Sequence, residues 1–280
     1  MMLELEVSLF WLAVSLYAGS TLLYLYSLAY GKDRYLAPAT WAAFAGIVPH
    51  SAALLIRWVR AGHGPYLTYY ESLAAFSCFT VALFLYLQYR NSRFRSLGIV
   101  VMPLSFIMIG LGVLSSPDIL PLPATFATYW LMVHVVFAML AYGATVLATA
   151  FGILYLLKQH KQKQGREEGF WQRLPNLGSL DELSYQSLAF GFISIAIMII
   201  AGAVWAKRSW GSYWGWDPME TWSLISWLVY GSYLHLRITY RWKGTRAAWY
   251  TVFALVVLLF CLFGLNFVYQ GSHAGVWLIK

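Results

Sequence analysis

Six histidines and fourteen tryptophans are the side chains of this 280-residue sequence best suited to chemistry. A neutral imidazole is a metal ligand. An indole is flat, rigid and amphipathic, so it can either face a planar ligand or anchor a helix at a membrane boundary. Six of the fourteen tryptophans, Trp205, Trp210, Trp214, Trp216, Trp222 and Trp227, fall in one stretch between two apolar segments. Gly211 and Gly215 interrupt it and allow tight turns, which predicts a compact loop carrying several indoles on one surface. Anchoring alone needs less than this, although it remains an alternative. The loop runs into Asp217-Pro218-Met219-Glu220, the pattern of a helix start: Asp as N-cap, Pro at the first helical position, Glu returning a hydrogen bond to the cap. That gives both carboxylates a structural task, with ligand contact by Asp217 left open.

The histidines differ in setting. His134 lies about six residues into an apolar segment, roughly 9 Å down it, with the small residues Ala138 and Ala141 and then Tyr142 below on the same face. Trp227, Gly231 and His235 share one helical stripe. A flat ring could lie across Gly231 under Trp227 with His235 reaching its metal, or the stripe could be a packing notch. His50 follows Pro49 inside a span, where an ionisable residue is a functional candidate and also a possible hydrogen-bonding partner for a neighbouring helix. His63 sits in a glycine-rich loop with Arg57 and Arg60, residues suited to an anionic ligand or to lipid headgroups. Glu71, at the start of the following helix, suits the helix dipole. His160 belongs to a basic, solvated tail that also includes Lys158, and His273 follows the last span. Cys78 and Cys261 occupy separate apolar stretches and form no C-x-x-C pair, so they read as buried inert thiols.

The elements that must position these residues are membrane helices. The chain is 60% hydrophobic and 11% charged, far below the roughly 25% charged residues of soluble domains. About 20 apolar residues make a span. Eight such segments are expected, at 7–30, 38–58, 68–89, 97–115, 128–157, 186–206, 219–240 and 248–270. The fold class is therefore an all-α integral membrane protein with about eight transmembrane helices, a single polytopic domain over 1–280. The net charge of +8 does not indicate nucleic acid. Fourteen of the nineteen basic residues lie in alternate connections and five on the other face, the positive-inside signature. It places both termini and the tryptophan loop outside the cytoplasm. Glu4 and Glu6 precede the first span in place of a basic region, so that segment reads as a span and not a cleaved leader.

The run Trp210-Gly-Ser-Tyr-Trp-Gly-Trp-Asp-Pro-Met-Glu-Thr-Trp222 resembles the tryptophan-rich WWD motif of heme-handling membrane proteins, and within them the CcsA (ResC-type) subunit of the System II cytochrome c synthase. The resemblance extends to Gly62-His63-Gly-Pro-Tyr-Leu-Thr-Tyr-Tyr-Glu71, to Leu180-Asp-Glu-Leu-Ser-Tyr-Gln186 and to Gly271-Ser-His273. Met219 departs from it, standing where the family usually has Lys. The resemblance implies heme b as ligand and substrate, entering at an inner site that includes His235, with a second ligand from a CcsB/ResB-type partner. It further implies attachment of the heme at the outer face to an apocytochrome c C-x-x-C-H segment, in the cytoplasmic membrane of a bacterium or a thylakoid membrane.

Two axial imidazoles must lie on opposite faces of one iron, each about 2 Å away, and hence at one depth. His134 and His273 both fall near the outer surface. His50 and His235 lie roughly 18 Å and 8 Å from the inner ends of their spans and do not match. The expectation is that His134 and His273 bracket an outer heme with Trp210, Trp214 and Trp216 at its edge. Arg57, Arg60, Lys207 or Arg208 would then face its propionates. No residue of the chain need act as catalytic nucleophile, because the substrate supplies the thiols. A small-anion transporter with the tryptophan loop as gate, and a heme b electron-transfer subunit, are the other readings open at this stage.

Overall fold

The computed structural model describes residues 1–166 and 170–264, all in helices and their connections. Nine α-helices appear among them: α1 Met2–Tyr30, α2 Leu36–Ala61, α3 Tyr69–Arg90, α4 Gly98–Val113, α5 Tyr129–Lys163, α6 Phe170–Arg173, α7 Leu177–Trp210, α8 Pro218–Thr239 and α9 Thr245–Leu259. A short π-helical turn, Phe260–Gly264, follows α9. This is a multispan membrane protein. Seven of the helices are long and apolar enough to cross a bilayer, namely α1, α2, α3, α4, α5, α7 and α9. The eighth expected span, α8, has the length at 22 residues but not the apolarity, because Ser, Tyr, Trp and His235 take positions that Leu or Val would hold in a plain span.

Large apolar side chains stand exposed along these helices, among them Leu22, Trp41, Leu55 and Val59. In water such a surface would aggregate, whereas lipid tails satisfy it.

The chain forms two compact units. The first takes in Met1–Leu120 and Leu154–Leu180. There α1 packs along α2 and α4, and α3 along α4 and α2. Glycine sets the closest approaches: a Cβ on Gly98 would fall 2.2 Å from the Tyr24 ring, and one on Gly46 would fall 2.6 Å from the Tyr17 ring. Small residues at helix contacts are how membrane helices gain van der Waals contact when lipid is as apolar as the side chains. Hydroxyls add bonds between helices: Ser20 donates to the Ala39 carbonyl at 2.8 Å and Ser77 to that of Ser105 at 2.9 Å. Helix α2 continues through Pro49.

The second unit takes in Pro121–Ile153 and, among the described residues, 181–264. Its centre is a set of hydroxyl contacts between α5, α7, α8 and α9. Thr145 bonds Tyr230, Thr149 donates to the Thr251 carbonyl at 2.9 Å, and Ser184 donates to that of Ala148 at 2.8 Å. One end of the unit is closed by an ion cluster. Arg237 pairs with Asp181 at 2.7 Å and Glu182 at 3.3 Å, while Asp181 also accepts from the Gly244 N–H at 2.8 Å. Asp181 and Glu182 therefore tie α7 to α8, a task beyond the helix entry that sequence suggests.

Candidate functional site

Helix α7 ends at Trp210, and the tryptophan loop is held from below by the start of α8. Asp217 caps that helix by accepting from the Met219 N–H at 2.8 Å. Glu220 completes the capping box and accepts from the N–H of Asp217 at 3.2 Å and of Gly215 at 2.8 Å. Both carboxylates thus do the structural work that their spacing offers. The loop turns at Gly211, φ 85°, as expected, but the second left-handed residue is Trp216, φ 57°, and not Gly215. A residue with a Cβ in that region costs on the order of 1–2 kcal/mol. The two Glu220 bonds on either side hold the turn, and they leave Trp216 70% exposed.

The indoles form crossed pairs instead of one flat platform. Trp205 and Trp210 meet edge to face at 4.9 Å and 72°, Trp214 and Trp216 at 5.8 Å and 87°. Trp205 is buried, and its Nε1 donates to the Thr125 carbonyl at 2.7 Å; Ser209 donates to the same oxygen at 3.1 Å. Lys207 folds back on the loop, donating to the Gly211 carbonyl at 2.7 Å and lying 5.6 Å over the Tyr213 ring. Arg208 is exposed and has no ion-pair partner among the described residues.

One layer below this loop lies His134 on α5. Its Nδ1 is 2.8 Å from the Met198 carbonyl of α7. A carbonyl only accepts, so Nδ1 carries the proton and Nε2 the lone pair, the tautomer and orientation that a metal-binding imidazole needs. Space for the ring exists because residue 202 is glycine: a Cβ there would fall 2.7 Å from Nδ1 and 3.1 Å from Cε1 of His134. The ring sits 6.5 Å from Trp205, tilted by 33°, so His134 reaches the loop through the Trp205 and Trp210 pair. Met198 and Gly202 escape a reading of sequence, since nothing in their type marks them. His273 lies outside the described residues.

On the Trp227 stripe the packing reading accounts for two members. Phe192 stacks on Trp227 at 5.0 Å and 12°, and a Cβ on Gly231 would meet Phe192 at 3.2 Å. The place under Trp227 is therefore filled by Phe192. His235 is different: it is exposed, with Nδ1 3.3 Å from the Thr239 hydroxyl and its ring 5.7 Å from Tyr240.

The remaining candidates are engaged inside the first unit. Arg57, fully buried, donates from Nε to Glu71 at 2.8 Å, from Nη2 to the Asp118 carbonyl at 2.8 Å, and from Nη1 to the Pro117 carbonyl. Arg60 pairs with the buried Glu6. Both charges are engaged on carboxylates, and Arg57 also ties down the 117–118 loop. Glu71 accordingly does more than suit a helix dipole. His50 is fully buried, its Nδ1 3.2 Å from the Tyr17 hydroxyl and its ring edged by Phe10 at 5.7 Å. His63 is buried and donates from Nδ1 to its neighbour's carbonyl, Gly64, at 2.8 Å. His160 is on the surface beside Gln164, as expected, but Lys158 is not solvated: it is buried and donates to the Leu174 carbonyl at 3.0 Å. Cys78 and Cys261 are free thiols in separate helical segments.

Residues 66–273 match the cytochrome C assembly protein family. The chain belongs to that family. It is 37% identical over 241 residues to the cytochrome c biogenesis protein CcsA of Guillardia theta, with 79% of this chain and 80% of that one covered. To the CcsA of Prochlorococcus marinus (strain NATL2A) it is 34% identical over 259 residues, 81% of each chain. Its role lies in cytochrome c biogenesis. Among solved structures, the cytochrome c heme lyase CcmF shares the fold, with a TM-score of 0.70 and 18% identity over 98% of this chain. This chain spans 48% of that one. The family match takes in His134, the tryptophan loop, His235 and His273, and it leaves out His50, Arg57, Arg60 and His63.

Proposed function

We propose that this membrane protein carries heme, as substrate, to the outer face and presents it to the two thiols of an apocytochrome c C-x-x-C-H segment. In this reading it is the heme lyase subunit that acts with a CcsB/ResB-type partner, in a bacterial cytoplasmic membrane or a thylakoid membrane. The observation that carries the proposal is His134: a carbonyl fixes its proton on Nδ1, a glycine makes room for its ring, and the tryptophan loop stands one aromatic layer away.

In this reading His134 and His273 are the imidazoles that would hold the heme iron, and ligation by two imidazoles would oppose oxygen chemistry during transfer. Of the four basic residues expected to face propionates, Arg208 is the one whose charge is uncommitted among the described residues, with Lys207 beside it. Trp214 and Trp216 present crossed indoles to the ring edge. His235, exposed on the least apolar of the long helices, would share an inner heme with a ligand from the partner. Each thiol then adds its S–H across one vinyl double bond, sulfur to one carbon and hydrogen to the other, so the step needs no oxidant. The protein contributes position.

The test is the visible spectrum of the full chain purified with its partner from heme-replete cells, alongside cytochrome c maturation. His134→Ala is expected to weaken the bis-imidazole spectrum and reduce maturation at least tenfold, while His160→Ala changes neither. A colourless wild-type complex would leave a transporter as the better reading. Retained heme with unchanged ligation in His134→Ala would remove His134 from the site.

A further inference from the structure

One short turn ahead of α5 holds both the helix that carries His134 and the indole that faces it. It is a single turn of 3₁₀-helix, Ala124–Phe126, entered through Pro123. Its own bonds are local: the Phe126 N–H donates to the Pro123 carbonyl at 2.8 Å and the Ala127 N–H to that of Ala124 at 3.3 Å. A turn this short leaves the carbonyls at its end without partners inside it. That of Phe126 accepts from the Thr128 N–H at 2.9 Å. That of Thr125 takes two side chains from the last turns of α7, the Trp205 indole N–H at 2.7 Å and the Ser209 hydroxyl at 3.1 Å.

Trp205 is 5% exposed, and a buried indole N–H needs an acceptor. Phe126 meets the same indole edge to face at 5.1 Å and 68°. The turn therefore fixes Trp205 at two points, through its nitrogen and against its ring. The connection then starts α5, with the Thr128 hydroxyl accepting from the Leu131 N–H at 3.3 Å, less than one turn before His134. Bonding to Met198 holds only one atom of that imidazole, Nδ1. The ring torsion of histidine is soft, so this bond alone lets the ring plane swing. Trp205, 6.5 Å away and tilted by 33°, limits the swing, and it can do so only while it is itself held still.

We infer that Phe126 and Trp205 are positioning residues for the outer site, the turn Ala124–Phe126 setting the plane in which His134 presents Nε2. The inference rests on the heme ligation by His134 proposed above. The experiment uses the full chain purified with its partner, as wild type, Trp205→Phe, Phe126→Ala, Phe126→Tyr, Tyr129→Ala and His134→Ala. Loaded with heme, each is read by electron paramagnetic resonance in the ferric state, where the g values of a low-spin heme follow the angle between its two axial imidazole planes and do not follow fold stability. Purified without heme, each is read by hydrogen exchange at the indole nitrogens. Trp205→Phe, which keeps a ring and deletes the N–H, and Phe126→Ala are expected to shift the g values and to lower maturation by about fivefold, the effect of one buried hydrogen bond. Phe126→Tyr keeps the ring edge and should retain the wild-type spectrum, as should Tyr129→Ala, which removes an exposed ring beside the turn. In the heme-free chain one slowly exchanging indole proton should vanish in Trp205→Phe and exchange roughly tenfold faster in Phe126→Ala. Unchanged g values in Trp205→Phe and Phe126→Ala, at wild-type heme content, overturn the positioning role and leave His134 as a ligand. Wild-type g values in His134→Ala remove His134 from the site, and the positioning role with it.

Discussion

At the scale of single residues, the decisive feature is how little of the His134 site is chemistry and how much is accommodation. The imidazole donates to Met198 and occupies space that a methyl group at residue 202 would fill. Gly202→Ala should therefore rotate or displace the ring without emptying the core. The expected result is a fall in heme ligation at the outer site approaching that of His134→Ala, with a thermal midpoint within a few degrees of wild type. An unchanged heme spectrum would show that the ring has slack. Trp216 offers a cleaner separation of backbone from side chain. Its left-handed φ of 57° suits glycine better than tryptophan, so Trp216→Gly relieves strain while deleting the indole. Maturation should drop although the loop is no less stable. Normal maturation in that variant would reduce the exposed indole to an interfacial anchor.

At the scale of elements, buried ion pairs decide which helices hold their place. Arg57 joins α2 to Glu71 on α3, faces Glu6 of α1 at 3.7 Å, and binds the loop after α4. Replacing it with Met leaves two buried carboxylates with one fewer cation, which costs about 3–5 kcal/mol. In detergent this should lower the thermal midpoint by several degrees, and Arg57→Met with Glu71→Met should recover part of the loss. A midpoint unaffected by the single change would mean that water reaches these groups. The pair of Arg237 with Asp181 plays the corresponding part for α7 and α8. These pairs also mark the limit of what sequence conveys. The apolar runs make the helices legible, and Asp217-Pro-Met-Glu220 makes the start of α8 legible to the residue, because cap chemistry is local. The partners of Arg57 lie 14 and 60 residues away, and no local rule connects them. An arginine at the edge of a span reads equally well as a ligand clamp or a lipid contact until its neighbours are known.

At the scale of the whole molecule, the open physical question is which way the helices run through the bilayer, since every step of heme presentation depends on it. Nineteen basic residues fall fourteen against five across the connections. That asymmetry predicts the tryptophan loop outside and the end of α5 inside, and it holds although α8 is too polar to count as a span by hydropathy alone. Ser212 is exposed in the loop and Gln164 is exposed past the end of α5. In intact cells a membrane-impermeant maleimide should label Ser212→Cys and leave Gln164→Cys unlabelled until the cells are permeabilised. Labelling confined to Gln164→Cys would invert the protein, and labelling of both before permeabilisation would mean that α7 does not carry the chain across the membrane; Lys243→Cys, exposed after α8, should stay unlabelled like Gln164→Cys, and its labelling in intact cells would mean that α8 does not return the chain. Because α8 carries the cap of the tryptophan loop at one end and His235 near the other, only a spanning α8 can connect an inner heme to an outer one. Ser212→Cys and Lys243→Cys, on either side of α8, therefore test the topology and the route together.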